Sequence, residues 1–211
     1  MSDSAQHLGD EELALRAQAG CAPSFEELVR RYQAPTLHFL RRLGAGDEAE
    51  DLLQETFIRA YRNLGQYRPR WRFVTWLFTI ARRVRINDLR RQHAELPCEA
   101  LEGMACPGPG PPELAAAAED RQRLWELAAR ILSPEECSAL WLYYVEEMSA
   151  REIAAVLERS WVSIKTMLFR ARRRLLELLA EQDAPHNSRV ASPGSERAKA
   201  CSCPEVPHVP T

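Results

Sequence analysis

Residues 47–64 read DEAEDLLQETFIRAYRNL, and after Gly65 residues 66–91 read QYRPRWRFVTWLFTIARRVRINDLRR. In the first stretch Leu53, Phe57, Ala60, Tyr61 and Leu64 recur at helical spacing, which predicts a helix with these residues toward a core. Asp47, Asp51, Gln54, Ile58 and Arg62 then fall on the opposite side. Ile58 is an apolar residue set in an acidic and polar face, and that pattern points to a protein-binding surface rather than a solvated one.

The second stretch carries eight arginines against the single acid Asp88. Such a density attracts phosphate by counterion release, and aromatic side chains beside it offer faces on which unpaired bases stack. Pro69 predicts a loop at its start, followed by a helix whose buried stripe is Phe73, Leu77, Ile80 and Val84. Thr75, Thr79, Arg82 and Arg85 are expected on the other side, open to solvent. Tyr67, Arg68, Arg70, Trp71 and Arg72 lie on the loop and are expected to contact nucleic acid.

Beyond this helix the composition breaks. Residues 93–112 lack periodicity and end in a Pro/Gly cluster, which reads as a flexible linker. Capping boxes follow at Ser133-Pro-Glu-Glu136 and Ser149-Ala-Arg-Glu152, so helices are expected to begin near 134 and 150. The second is short and ends at Glu158-Arg-Ser160; Ser160 then caps a third helix from Trp161 to about Ala180. Ile164, Leu168, Ala171, Leu175 and Leu179 form its apolar face. Ser163, Thr166, Met167, Arg170, Arg173 and Arg174 form the other, with small polar residues first and arginines after. A short capped helix, a tight turn and such a helix make a helix-turn-helix, whose N-terminal residues approach base edges while the arginines hold phosphates.

The chain resembles bacterial sigma factors of the extracytoplasmic-function (ECF) type, in the sigma-seventy superfamily. The residues that carry the resemblance are DEELALRAQAG (10–20), FEELVRRY (25–32), AEDLLQETF (49–57) and FVTWLFTIAR (73–82) for a first domain. For a second they are LSPEE (132–136), MSAREIA (148–154) and SIKTMLFRAR (163–172). The resemblance implies a promoter-specificity subunit of bacterial RNA polymerase core. Asp51, Gln54, Glu55, Phe57 and Ile58 match the helix that grips the polymerase clamp. Tyr67, Arg68, Arg70, Trp71, Arg72, Arg82, Arg83 and Arg85 match the part that opens the minus-ten element and holds its nontemplate strand. Ser160, Ser163, Lys165, Thr166, Met167, Arg170, Arg173 and Arg174 match the reader of the minus-thirty-five element. Where the family commonly has Gly-Thr-Val this chain has Val162-Ser163-Ile164, and Arg83 stands in place of the usual Asn. The resemblance also implies promoter DNA and an anti-sigma factor as partners, and a stress or metal signal as trigger.

Composition agrees. The net charge of -2 conceals eleven acidic against six basic side chains in residues 1–60 and a strongly basic segment after them. Lys165 and Lys199 are the only lysines, so the positive charge is nearly all guanidinium, suited to bidentate phosphate and base contacts. There is no signal-peptide pattern and no apolar run long enough to span a bilayer, so no membrane insertion and a cytoplasmic protein are expected. The five histidines are scattered and no glycine-rich loop follows a strand; no enzymatic constellation is present and no cofactor is required. The competing classes are a freestanding helix-turn-helix regulator and a helical adaptor.

The expected architecture is all-α: two small helical domains, residues 8–92 and 113–181, joined by the flexible linker 93–112, the second a helix-turn-helix domain. A tail, 182–211, rich in Pro, Ser and charge, is expected to be disordered. It holds Cys201 and Cys203, with His186 and His208 beside them, and Cys98 and Cys106 lie in the linker. Two readings stay open: Cys201 and Cys203 as ligands of a soft metal ion, or a passive tail. Cys21 and Cys137 are expected to be core or inert.

Overall fold

Eight helices follow one another in a computed structural model, which describes residues 7–95 and 124–187, with side chains over 7–92 and 124–180. The first half holds α1 (Asp10–Gln18), α2 (Ala22–Arg42), α3 (Ala49–Asn63) and α4 (Phe73–Glu95). The second holds α5 (124–131), α6 (Pro134–Tyr144), α7 (Ala150–Val156) and α8 (Trp161–Asn187). Every regular element among the described residues is helical. The linker and tail fall outside them, apart from residues 93–95, which close α4, and 182–187, which continue α8 past its expected end.

The helix ends follow from local chemistry. Both capping boxes form: the Ser133 and Ser149 hydroxyls each accept from the backbone N–H three residues on, while Glu136 and Glu152 accept from the cap N–H. α2 stops in a Schellman motif, in which Gly44 N–H donates to Arg41 O and Ala45 N–H to Leu40 O. That geometry needs the left-handed backbone that Gly44 supplies at φ 78°.

On α3 the buried residues are Ala49, Leu52, Thr56 and Ala60: Ala60 is buried as expected, as is Leu64 just after the helix, but Leu52 and Thr56 take the places expected of Leu53 and Phe57. Leu53 and Phe57 flank it half-buried, and Tyr61 is exposed with its ring edge against Phe25. The acidic face is open as expected: Asp47, Asp51, Gln54, Ile58 and Arg62 are all exposed.

α4 is buried on two sides over its first half, while Arg83, Asn87, Arg90 and Arg91 farther along are exposed. Phe73, Leu77 and Val84 are buried as expected, with Ile80 half-buried, but Val74, Phe78 and Ala81 form a second apolar stripe. One core cluster lies within the first half around Leu13, Leu28, Ala60, Phe73 and Leu77. The other joins Phe39, Val74 and Phe78 to Leu140, Trp141, Ile153 and Ile164 of the second half. Phe39 stacks on Phe78 at 4.9 Å, and Trp141 lies 6.2 and 5.9 Å from those two rings. The described residues up to Leu175 therefore form one compact unit in which the halves share a core, where each had been expected to close its own. The second α4 stripe supplies the reason, since Phe39 and its neighbours in the first half cover it together with Trp141 and the apolar residues of the second half.

Candidate nucleic-acid interface

The loop between α3 and α4 is pinned from beneath. Gln18 Nε2 donates to Leu64 O at 2.9 Å and to Tyr67 O at 3.3 Å, and Arg68 Nη1 donates to Gly65 O and Tyr67 O, both at 3.0 Å. Glu11 accepts the free N–H of Phe73 at 3.2 Å, capping α4 from another helix. Tyr67 is buried, 1% exposed, with its ring against Phe73 and Trp76 and its hydroxyl donating to Trp71 O at 3.0 Å. Burial pushes its phenol up to about 12. This corrects the expectation that Tyr67 offers a stacking face: its ring is part of the core, and its hydroxyl holds the loop. Trp71 is 42% exposed, and Arg68, Arg70 and Arg72 are exposed around it. The loop thus presents one large exposed aromatic side chain with three exposed arginines at neighbouring positions, on a hydrogen-bonded base.

The body of α4 departs further. Arg85 is 2% exposed; its guanidinium donates to Asp88 at 2.7 Å and to Gly44 O at 2.5 Å, with Leu43 O at 3.5 Å. It caps the carbonyl end of α2 and is unavailable to DNA, because a planar fork of donors matches those carbonyls and the Asp88 carboxylate together. Thr75, expected to be open, is buried and donates to Glu152 at 3.4 Å. Arg82 lies 3.4 Å from Glu158 and 3.9 Å from Glu135, with its side chain 14% exposed. Arg83 is exposed and donates to Glu158 at 2.9 Å, and this contact is the main cause that holds the Glu158 carboxyl below its usual range. On the predicted outer face of α4, Arg85 is therefore covered by the turn after α2, while Thr75, Arg82 and Arg83 meet carboxylates of α6, α7 and the turn after α7.

The acidic face of α3 borders an open groove of about 620 Å³, lined by Asp51, Leu52, Glu55, Arg59, Asn87, Asp88, Arg90 and Arg91. Glu55 accepts from Arg59 at 2.6 Å. Ile58 is 45% exposed and Gln54 exposed, whereas Phe57 is half-buried and packs on the first core cluster. Arg90 and Arg91 were absent from the sequence-based site; their exposure on the wall facing α3 could not be read from the helix alone.

On α8 the apolar residues Ile164, Leu168 and Ala171 are buried, and Ser163 N–H donates to the Ser160 hydroxyl at 3.2 Å, so Ser160 caps the helix. Lys165 sits 4.0 Å from the Trp161 ring centre, and the Thr166 hydroxyl bonds to Val162 O at 3.0 Å. Lys165, Thr166, Arg170, Arg173 and Arg174 are exposed, with Arg174 3.2 Å from Glu136. Met167 is half-buried against the shared core, which corrects its assignment to the exposed face. Trp161 and Val162, 45% and 61% exposed, stand beside the cap and were not among the residues singled out to contact DNA. Their position immediately after the cap was the available signal.

Cys137 is buried, but Cys21 is exposed just before α2 and its sulfur accepts from the Ser24 hydroxyl at 3.2 Å, so it is not core. Cys201 and Cys203 lie outside the described residues. Among the described residues no group of three His, Cys, Asp or Glu side chains is placed to hold a metal ion, and no helix is long and apolar enough to cross a membrane.

Two families of known proteins match separate stretches of the chain. The Sigma-70 region 2 family matches residues 28–95, and the Sigma-70, region 4 family matches residues 122–175. The RNA polymerase sigma factor CarQ of Myxococcus xanthus is 34% identical over 167 residues, 79% of this chain and 95% of its own. The ECF RNA polymerase sigma factor BldN of Streptomyces coelicolor is 32% identical over 183 residues, 85% and 68% of the two chains. The chain belongs to the ECF RNA polymerase sigma factors. Its fold is similar to that of CnrH, solved in complex with the cytosolic domain of CnrY, at a TM-score of 0.58 and 25% identity, covering 82% of this sigma factor and 97% of CnrH. Region 2 of the sigma factor thus contains the Trp71 loop and the acidic α3 face, and region 4 contains the α8 face.

Proposed function

We propose that the protein binds core RNA polymerase, directs it to promoters of a defined sequence and helps open them. The observation that carries this reading is Trp71, exposed on a loop fixed by Tyr67, Gln18 and Glu11, with the exposed Arg68, Arg70 and Arg72 at neighbouring positions. A rigid aromatic face beside guanidinium groups stacks an unpaired base and holds its phosphates. Arg68, Arg70, Trp71 and Arg72 take the nontemplate strand of the minus-ten element, joined by Arg82 and Arg83 once their acidic partners leave. Ser163, Lys165, Thr166, Arg170, Arg173 and Arg174 read and hold the minus-thirty-five element, with Ser160 fixing the helix end that enters the groove. Asp51, Gln54, Glu55 and Ile58 dock on the polymerase clamp, and Phe57 supports them from the core side.

In this reading residues 8–92 and 113–181 are the two working domains and 93–112 connect them. The protein acts in the bacterial cytoplasm as a binding subunit, not an enzyme, and requires no cofactor. An anti-sigma factor is proposed as a further partner; the similar chain CnrH was solved bound to another protein, the cytosolic domain of CnrY. Metal or stress control through Cys201 and Cys203 is open to a direct test, in which the Cys201→Ser, Cys203→Ser double variant is compared with wild type across metal and thiol conditions.

The test of the main reading is gel filtration with core polymerase followed by a duplex promoter shift. The chain should co-elute with polymerase and shift promoter DNA with it. A shift of equal strength by the chain alone would support a freestanding regulator instead.

A further inference from the structure

The second half lays glutamates along the polar face of α4. Thr75 meets Glu152, Arg82 and Arg83 meet Glu158, and Arg72 acts electrostatically on Glu146. Arg72, just before α4, and Thr75, Arg82 and Arg83 on it fall on one side at helical spacing and so form one stripe. The acids come from three separate places in the second half: the turn after α6, the first turn of α7 and the turn after α7.

Glu158 also stands in an unusual backbone position. α1 and α2 end with Gly20 and Gly44 in the left-handed conformation, at φ 96° and 78°. α7 ends in the same motif, with Arg159 N–H donating to Ala154 O at 3.0 Å, but Glu158 occupies the glycine position at φ 47°. Glu147, in the preceding turn, shares that conformation. A side chain with Cβ is disfavoured there. What the glutamate adds at the end of α7 is a carboxylate aimed at Arg82 and Arg83.

We propose that this acidic stripe is an intramolecular stand-in for the nontemplate strand: in the free protein the helix-turn-helix half occupies the α4 surface that single-stranded DNA takes on promoter opening, and the two exclude each other. The proposal rests on the sigma-factor reading for the identity of the strand. The closed contact itself combines these ion pairs with the stack of Phe39, Phe78 and Trp141, so opening exposes rings as well as charges. Strand binding then competes with the glutamates, and the loop around Trp71, which is already open, makes the first contact.

The test uses the full chain and a fluorescent single-stranded DNA of random sequence. Glu158→Asn removes the carboxylate while keeping a residue that tolerates the left-handed backbone. It should tighten strand binding about threefold, the scale of one exposed ion pair. Adding Arg82→Ala and Arg83→Ala should abolish the gain. Hydroxyl-radical footprinting supplies the second reading: Phe78 and Trp141 should be protected in the free wild type and become reactive when the strand is added. Unchanged affinity in Glu158→Asn with unchanged protection of Phe78 and Trp141 on strand addition overturns the proposal; so does a gain that survives loss of both arginines, or either signal without the other. If the footprint opens as described but the chain never joins polymerase, the contact stands and the sigma-factor reading fails.

Discussion

α4 and α8 are two arginine-rich helices that read alike in sequence and meet opposite fates in the fold. The polar face of α8 stays open: Lys165, Thr166, Arg170 and Arg173 are exposed, and Arg174 reaches across to Glu136. The polar face of α4 is closed: Arg85 is buried beneath the end of α2, Arg82 is nearly so, and Arg83 is held by Glu158. Arginine density therefore marks where anions are attracted, but the acids and carbonyls that fold back on it decide whether the attraction is spent internally. A helix with a single apolar stripe leaves its basic face free. A helix with two, as in α4, must be covered on both sides.

The largest effect that separates the two helices is on stability. Arg85→Ala leaves Asp88 and two α2 carbonyls without their buried partner and should cost about 3 kcal/mol in urea unfolding. Arg85→Lys should recover only part of this, since an ammonium lacks the planar fork. On α8, Arg170→Ala should stay within about 0.5 kcal/mol of wild type in the same measurement. Equal losses at the two sites would erase the distinction between a structural and an exposed arginine.

Next in size is the loop that precedes α4. Trp71→Ala should weaken single-strand binding by about 2 kcal/mol, the scale of one stacked base, while upstream duplex binding is kept. A premelted promoter bubble should rescue part of the transcription defect. By contrast, Arg170→Ala should reduce the salt slope of duplex binding by about one and leave strand opening intact. Exchanged phenotypes would mean that the two surfaces had been assigned the wrong way round.

A smaller effect tests whether acids paired with arginine behave alike elsewhere. Glu27 accepts from Arg30 and Arg31, and these bonds hold its carboxyl down to about 2. Because the folded value is depressed, its stabilising contribution is present above the ordinary value near 4.5 and is lost as pH falls toward 2. Glu27→Gln should flatten that acid limb of the stability curve, with no change in DNA binding. An unchanged limb would show that the arginine pairs are broken in solution.

Features set by neighbouring residues were legible in the sequence. The boxes at Ser133 and Ser149, the Ser160 cap and the start of α4 after Pro69 depend on groups a few residues apart, so the chain announces them. Ile58 was legible because periodicity alone assigns it to the outer face. Tyr67, Arg85 and Thr75 were not, because their surroundings come from α1, the end of α2 and α7, between 41 and 77 residues away where hydrogen bonds join them. Val74 and Phe78 were the available warning: two large apolar residues off the main stripe imply a second cover. Met167 belongs to the same class, since its burial depends on a core shared between the halves.

We propose that this chain gives core polymerase its promoter choice through the acidic α3 face and the open basic surfaces. Run-off transcription from genomic fragments, with core polymerase alone, with the wild type and with Ile58→Glu, tests it most directly. Discrete transcripts should depend on the wild-type chain and disappear with Ile58→Glu, whose thermal stability should match wild type because the side chain is exposed. Transcripts unchanged by the chain, or fully supported by Ile58→Glu, would contradict it.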